Sequence, residues 1–128
     1  MIADFAAHLF SNATVALYDT LGPEACEFII NHSGIPIIIT TLDKVANLLK
    51  IAHLCPGMKA IVVMDDHFPA IKNAAYGPFN LLKQWATEKG LQLYRFSEIE
   101  SIGKKHLIPP RLPKPSDVFW YDLNFIIP

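Results

Sequence analysis

Ile35-Pro36-Ile37-Ile38-Ile39-Thr40 and, further along, Ala60-Ile61-Val62-Val63-Met64 are two unbroken apolar runs rich in β-branched residues. A strand with one wet face alternates apolar with polar residues, whereas an unbroken run reads as a parallel strand covered on both sides. Pro36 has no amide to give to a ladder and is tolerable only among the first residues of its strand. Between the runs, residues 42–54 place Leu42, Val45, Leu48, Leu49 and Ala52 at spacings of three and four, the signature of an amphipathic helix. Thr41 is its natural N-cap and Pro56-Gly57 its stop. Strand, helix and strand in this order make a parallel pair joined by a right-handed crossover.

The alternation continues on either side. Upstream, residues 23–32 form a helix that buries Ala25, Phe28, Ile29 and His32 and stops at Ser33-Gly34. It opens either on a Thr20 cap or with Gly22 half-in and Pro23 at the first helical position, and Glu24 and Glu27 lie near the positive end of its dipole. Thr14 to Tyr18 reads as a short strand. Residues 2–10 read as the end of a helix whose apolar face, Ile2, Phe5, Ala6, Leu9 and Phe10, needs a cover. Downstream, residues 65–78 form a polar linker, 79–88 a helix stopped by Gly90, and 91–96 a strand that Gln92 and Arg95 interrupt near an edge. Ser97 then caps a short helix that runs to about Lys105, with Glu98 and Glu100 in its first turn. The expected fold is therefore α/β, a three-layer arrangement with a mostly parallel sheet of about four strands flanked by helices. Residues 1–107 make up this unit. Residues 108–117, with Pro109, Pro110, Pro113 and Pro115, form an extended connector, and residues 118–128 an apolar tail without a partner element.

Hydrophobic residues make up 52% of the chain and charged residues 18%, against about 25% charged in an average soluble domain. That deficit favours a segment covered by further protein. A formal net charge of -1 gives the chain as a whole no field for nucleic acid or an anionic membrane. The longest basic run, Lys104-Lys105 before His106, reads as a solvated helix end. Cys26 and Cys55 are too few for a disulfide scaffold and have no metal spacing; Cys26 reads as a buried small hydrophobe and Cys55 as a helix-end residue. Asp4 stands where a secretory signal would carry positive charge, and the following apolar stretch is broken by His8 and Ser11-Asn12, so neither a signal peptide nor a membrane span is expected. Asn12-Ala13-Thr14 and Asn31-His32-Ser33 match the glycosylation spacing by chance.

Chemistry-bearing patterns are sparse. No glycine-rich phosphate loop or dinucleotide fingerprint occurs among the 6 glycines. Gly22 opens a helix after a strand, where a phosphate could sit, but Pro23 removes one donor and a simple turn is the cheaper reading. Asp65, Asp66 and His67 follow a parallel strand at its carboxyl end, where such folds place ligands; three polar loop residues are more often only solvated. Asp19 and Thr20 also follow a strand, and capping accounts for both. His8, His32 and His53 lack ligand spacing and read as core or cap histidines. Serines 11, 33, 97, 101 and 116 lack a strained elbow and a locatable base. The aromatics have no basic interleaving, which argues against a stacking platform for nucleic acid. No catalytic, cofactor-binding or metal residue is assigned.

The run Val15-Ala16-Leu17-Tyr18-Asp19-Thr20-Leu21-Gly22-Pro23-Glu24 and on to His32 resembles the early adenylation-domain segment of eukaryotic long-chain fatty acyl-CoA synthetases, members of the AMP-forming acyl-activating superfamily. The stretch from Leu54 through Pro56-Gly57 to Asp65 is similar to the family's next strand. Tyr94 to Gly103 and the run from Pro109 to Asp117 are similar to its approach to the phosphate loop. The resemblance covers about residues 11–118. It implies a parent that joins a long-chain fatty acid to coenzyme A through an acyl-adenylate, using ATP and magnesium. In that family a Ser/Thr/Gly-rich loop follows the residues matching Asp117 and Val118, whereas here Phe119-Trp120-Tyr121 follow. The residues for adenine, magnesium and the fatty acid and the catalytic lysine lie further on in the family, so the resemblance carries none to a position here, and no cofactor is expected for this chain.

The reading is thus a fragment of a long-chain fatty acid-CoA ligase, inactive alone, whose partners would be the missing remainder or an intact paralogue. The family implies a cytoplasmic location or peripheral attachment to the cytosolic face of the endoplasmic reticulum or another organelle. The alternative is a small interaction or regulatory protein that docks on an intact synthetase or a membrane through residues 2–10 or 119–128. A sheet lacking neighbouring strands offers little buried area against an ordering cost of about 1 to 2 kcal/mol per residue, so the isolated chain is expected to be molten or prone to aggregate.

Overall fold

The computed structural model describes residues 1–18, 22–64 and 76–121. The elements are α1 (Ile2–Leu9), β1 (Thr14–Val15), α2 (Pro23–Ser33), β2 (Ile37–Thr40), α3 (Leu42–Ile51) with a 3-10 turn at Ala52–Leu54, β3 (Ala60–Val63), α4 (Tyr76–Glu88), β4 (Gln92–Arg95), α5 (Phe96–Lys105) and β5 (Trp120–Tyr121). Every strand pair is parallel. The fold is α/β with helices flanking parallel sheets, as the alternating pattern requires.

The strands fall into two groups: β2-β3-β4 form one sheet, and β1 pairs with β5 in another. Register places Ile38, Ile61 and Leu93 side by side, and all three are buried. Their face packs with Val63 against Ile30 of α2, Val45, Leu48 and Leu49 of α3, and Phe79 and Ala86 of α4, closed below by Cys55 and Met58. Full burial of side chains of this size stabilises by about 1.5–3 kcal/mol each, so the three helices are held by this one face.

The opposite face departs from the expectation of cover on both sides. Val62 is buried at its centre, yet Ile37 and Ile39 are 55% and 42% exposed. The reason lies in strand order: β2 is an edge strand, and among the described residues no strand pairs with its free side. The tail is also corrected. It was expected to lack a partner, but Trp120 and Tyr121 pair in register with Thr14 and Val15.

Helix ends follow their local chemistry with two shifts. Gly22 stands half-in before Pro23, and Gly34 ends α2 in the left-handed region, its amide donating to the Ile30 carbonyl at 3.1 Å. α4 begins at Tyr76, so Gly77 and Pro78 belong to the helix and not to the preceding linker; a first-turn proline is allowed because that amide has no partner within the helix. α5 begins at Phe96, with Arg95 as cap residue in place of Ser97. Glu98 decides this, because its carboxylate accepts the Arg95 amide at 2.7 Å.

Candidate functional site

A cleft that offers polar groups lies beside the free edge of β2. Leu17 and Tyr18 after β1, Pro23 and Cys26 of α2, Ile38 to Thr40 of β2, and Lys44, Asn47 and Lys50 of α3 line a cleft of about 310 Å³. The sequence dictates this layout. The first turn of α3 must follow the carboxyl end of β2, and its cap, Thr41, stands in extended backbone. The Thr41 hydroxyl and the Lys44 ammonium, 3.5 Å from Asp43, hold the Asp43 carboxyl below the usual range. The lining is largely apolar and carries two ammonium groups, the hydroxyls of Tyr18 and Thr40, a thiol and an amide. That set can bind an apolar body with an anionic end, but it supplies no carboxylate or imidazole to move a proton.

A second junction joins the two ends of the described chain. The Ser11 hydroxyl donates to the Asp117 carboxylate, which also accepts the Lys114 amide at 2.9 Å. His8 stacks on Phe119 with ring centroids 3.5 Å apart; its Nε2 lies 3.2 Å from the Phe119 carbonyl and 3.3 Å from the Thr14 hydroxyl. His8, Ser11 and Asp117 line one concavity here. Ser11 has strained backbone, at φ 56, and a carboxylate lies beside it. The strain belongs to the end of α1, where the amides of Ser11 and Asn12 turn back to the His8 and Ala7 carbonyls, and not to a strand-to-helix elbow. The Lys114 amide and the Ser11 hydroxyl hold Asp117 below the ordinary carboxylate range, so it is a poor base. The junction acts as a latch that sets β5 beside β1.

Other candidates disperse. Asp65, Asp66, His67, Asp19 and Thr20 lie outside the described residues. His53 bonds the Lys50 carbonyl at 3.0 Å, and His32 stacks on Phe28. Ser33 and Ser101 donate to the Ile29 and Ser97 carbonyls one turn back, so both hydroxyls are occupied by their own helices. Burial pushes both thiols up, at Cys55 with help from the Glu27 carboxylate and Cys26, which leaves them weak nucleophiles. Among the described residues no three of His, Cys, Asp and Glu converge, so the set does not fit the magnesium that the resemblance implies. The sequence pattern does not single out Lys44, Asn47 and Lys50; only Lys44, in the first turn of α3 just beyond the carboxyl end of β2, carries a local signal.

This fold recurs in adenylation domains. The adenylation domain of a carboxylate reductase from Mycobacterium chelonae superposes with a TM-score of 0.72 at 10% identity, over 88% of this chain and 17% of that one. The corresponding domain from Segniliparus rugosus, solved with AMP and a co-purified carboxylic acid, gives 0.65 at 15% identity, over 88% and 18%. Sequence carries the relationship further. Long-chain-fatty-acid-CoA ligase 5 of Mus musculus is 33% identical over 123 residues, 92% of this chain and 16% of that protein. The peroxisomal acyl-CoA ligase 891 of Penicillium brevicompactum is 31% identical over 91% of this chain and 16% of its own length. Peroxisomal long chain acyl-CoA synthetase 7 of Arabidopsis thaliana is 28% identical over 92% and 15%. No protein-family model matches. The chain is similar over nearly all of its length to a segment of long-chain acyl-CoA ligases, spans about a sixth of the length of these relatives, and shares its fold with adenylation domains.

Proposed function

We propose that these 128 residues are a non-catalytic piece of a long-chain fatty acid-CoA ligase, whose whole converts ATP, a long-chain fatty acid and coenzyme A into acyl-CoA, AMP and diphosphate. One observation carries the reading: similarity runs over 92% of the chain but 16% of the mouse ligase. The described residues support it physically. Adenylation needs donors, cations and metal around a phosphorus that gains charge, and the cleft at β2 offers two lysines without a carboxylate to hold a metal. In this reading no residue of the chain is catalytic, metal-binding or cofactor-binding. Residues 1–107 serve as scaffold, 108–117 as connector and 118–128 as a divergent end. The exposed isoleucines of β2 are the surface that the remainder of a synthetase, or an intact paralogue, would cover.

The location that goes with this role is the cytoplasm, or the cytosolic face of an organelle as a peripheral protein. No described helix is long and apolar enough to cross a membrane. The test is fatty-acid-dependent AMP and acyl-CoA formation by the purified 128-residue polypeptide. No turnover above a mock purification is expected, and a rate that survives that control overturns the reading.

A second reading rests on α1. None of its residues is buried, and Ile2 and Phe5 are exposed. A polypeptide that captures intact synthetase in a pull-down, and fails to do so as Ile2→Ser with Phe5→Ser, would favour a docking or regulatory protein.

A further inference from the structure

We propose that residues 101–116 form a docking surface for an anionic lipid bilayer. Of the 11 basic and 12 acidic side chains, this stretch holds four bases, Lys104, Lys105, Arg111 and Lys114, and no acid. The remainder is left with seven bases against twelve acids, so the near-neutral total hides a cationic strip on an anionic body. Read alone, Lys104-Lys105 is a solvated helix end; the structure adds what stands around it. Every residue from 101 to 116 is exposed, and α5 contributes no buried residue. The apolar side chains between the cations are bare: Leu107 is 88% exposed, Leu112 71% and Ile108 69%, with Ile102 also exposed.

The connector explains why they remain bare. Residues 107–114 form neither helix nor strand, and Pro109, Pro110 and Pro113 withhold the donors that either would need. Apolar side chains set among Lys and Arg match the depth profile of a membrane interface, with leucine and isoleucine at the acyl boundary and ammonium and guanidinium groups at the phosphates. The core of a protein interface, by contrast, is depleted in lysine. The anionic body is repelled by such a surface, so the strip leads the approach. Glu98 and Glu100 lie in the preceding part of α5, and Glu98 is engaged by Lys83 at 3.3 Å and by the Arg95 amide. Asp117, just beyond the strip, is engaged by Ser11 and Lys114. This inference names a surface for the peripheral attachment proposed above, but it rests on charge and exposure alone, and its readout is independent of ligase activity.

The test is flotation of the whole polypeptide with phosphatidylcholine vesicles, with and without about a third phosphatidylserine. Each basic residue near such a surface raises partitioning about fivefold, so Lys104→Gln with Lys105→Gln should lower binding to anionic vesicles about 25-fold. Raising salt to about 0.5 M should release the wild-type chain, and Leu107→Ser with Ile108→Ser should weaken binding at least tenfold. Ile2→Ser with Phe5→Ser, on α1, should change nothing. Absence of binding, equal binding to neutral vesicles, indifference to the lysine or the Leu107/Ile108 pair, or loss through the α1 pair would each overturn the proposal.

Discussion

Gly90 ends α4 at φ 73, and nothing lies within 4 Å of where a β-carbon would stand. Gly90→Ala therefore isolates the backbone cost of the left-handed region, about 1–2 kcal/mol; the expected lowering of the urea midpoint is read by far-UV circular dichroism. Asp117 tests the latch. Its pKa is lowered on folding, so the latch contributes stability above the unfolded carboxyl value of about 3.9 and loses it as pH falls through the lower folded value. Amide resonances of Lys114 and Phe119 should move together in that acid window, and Asp117→Asn should abolish the movement. Neither partner was paired in the sequence, because Ser11 and Asp117 stand 106 positions apart and a lone serine and a lone aspartate carry no spacing signal.

α3 was legible almost to the residue, since its apolar positions recur at helical spacing and Thr41 marks its start. The N-cap of α5, Arg95, lies two residues before the Ser97 cap expected from sequence, because the carboxylate of Glu98 accepts the Arg95 amide. Glu98→Ala should cost about 1 kcal/mol and speed hydrogen exchange at the Arg95 amide while leaving β3 amides protected. The core face makes a stronger demand. Leu49, fully buried between α3 and the sheet, should lose about 2–5 kcal/mol as Leu49→Ala. A chain this lightly covered should lose its cooperative melt with that change, as seen by near-UV circular dichroism.

On the scale of the molecule, a three-stranded sheet whose outer strands, β2 and β4, have no further strand partner among the described residues, and which leaves two isoleucines of β2 exposed, offers limited burial against its entropy cost. The isolated 128-residue polypeptide should bind a hydrophobic dye and associate with rising concentration in sedimentation velocity. Ile37→Thr with Ile39→Thr, which removes the exposed apolar pair from β2, should reduce that association. A polypeptide that leaves the dye unbound and stays monomeric at every concentration would contradict both expectations. The candidate cleft belongs to this scale too. Its lining comes from the segment after β1 and from α2, β2 and α3 together, so no single stretch of sequence announced it.

From its sequence alone, the chain's alternating helices and strands and their parallel pairing could be read, because hydrophobic period and capping are local properties; the kinship of the run from Val15 to His32 came from its resemblance to a family. Tertiary structure alone decided that Trp120 and Tyr121 lie against Thr14 and Val15, that one face of β2 stays open, and that Ser11 meets Asp117. Those outcomes depend on which distant surfaces compete for one another, and that competition is settled only when the whole chain folds.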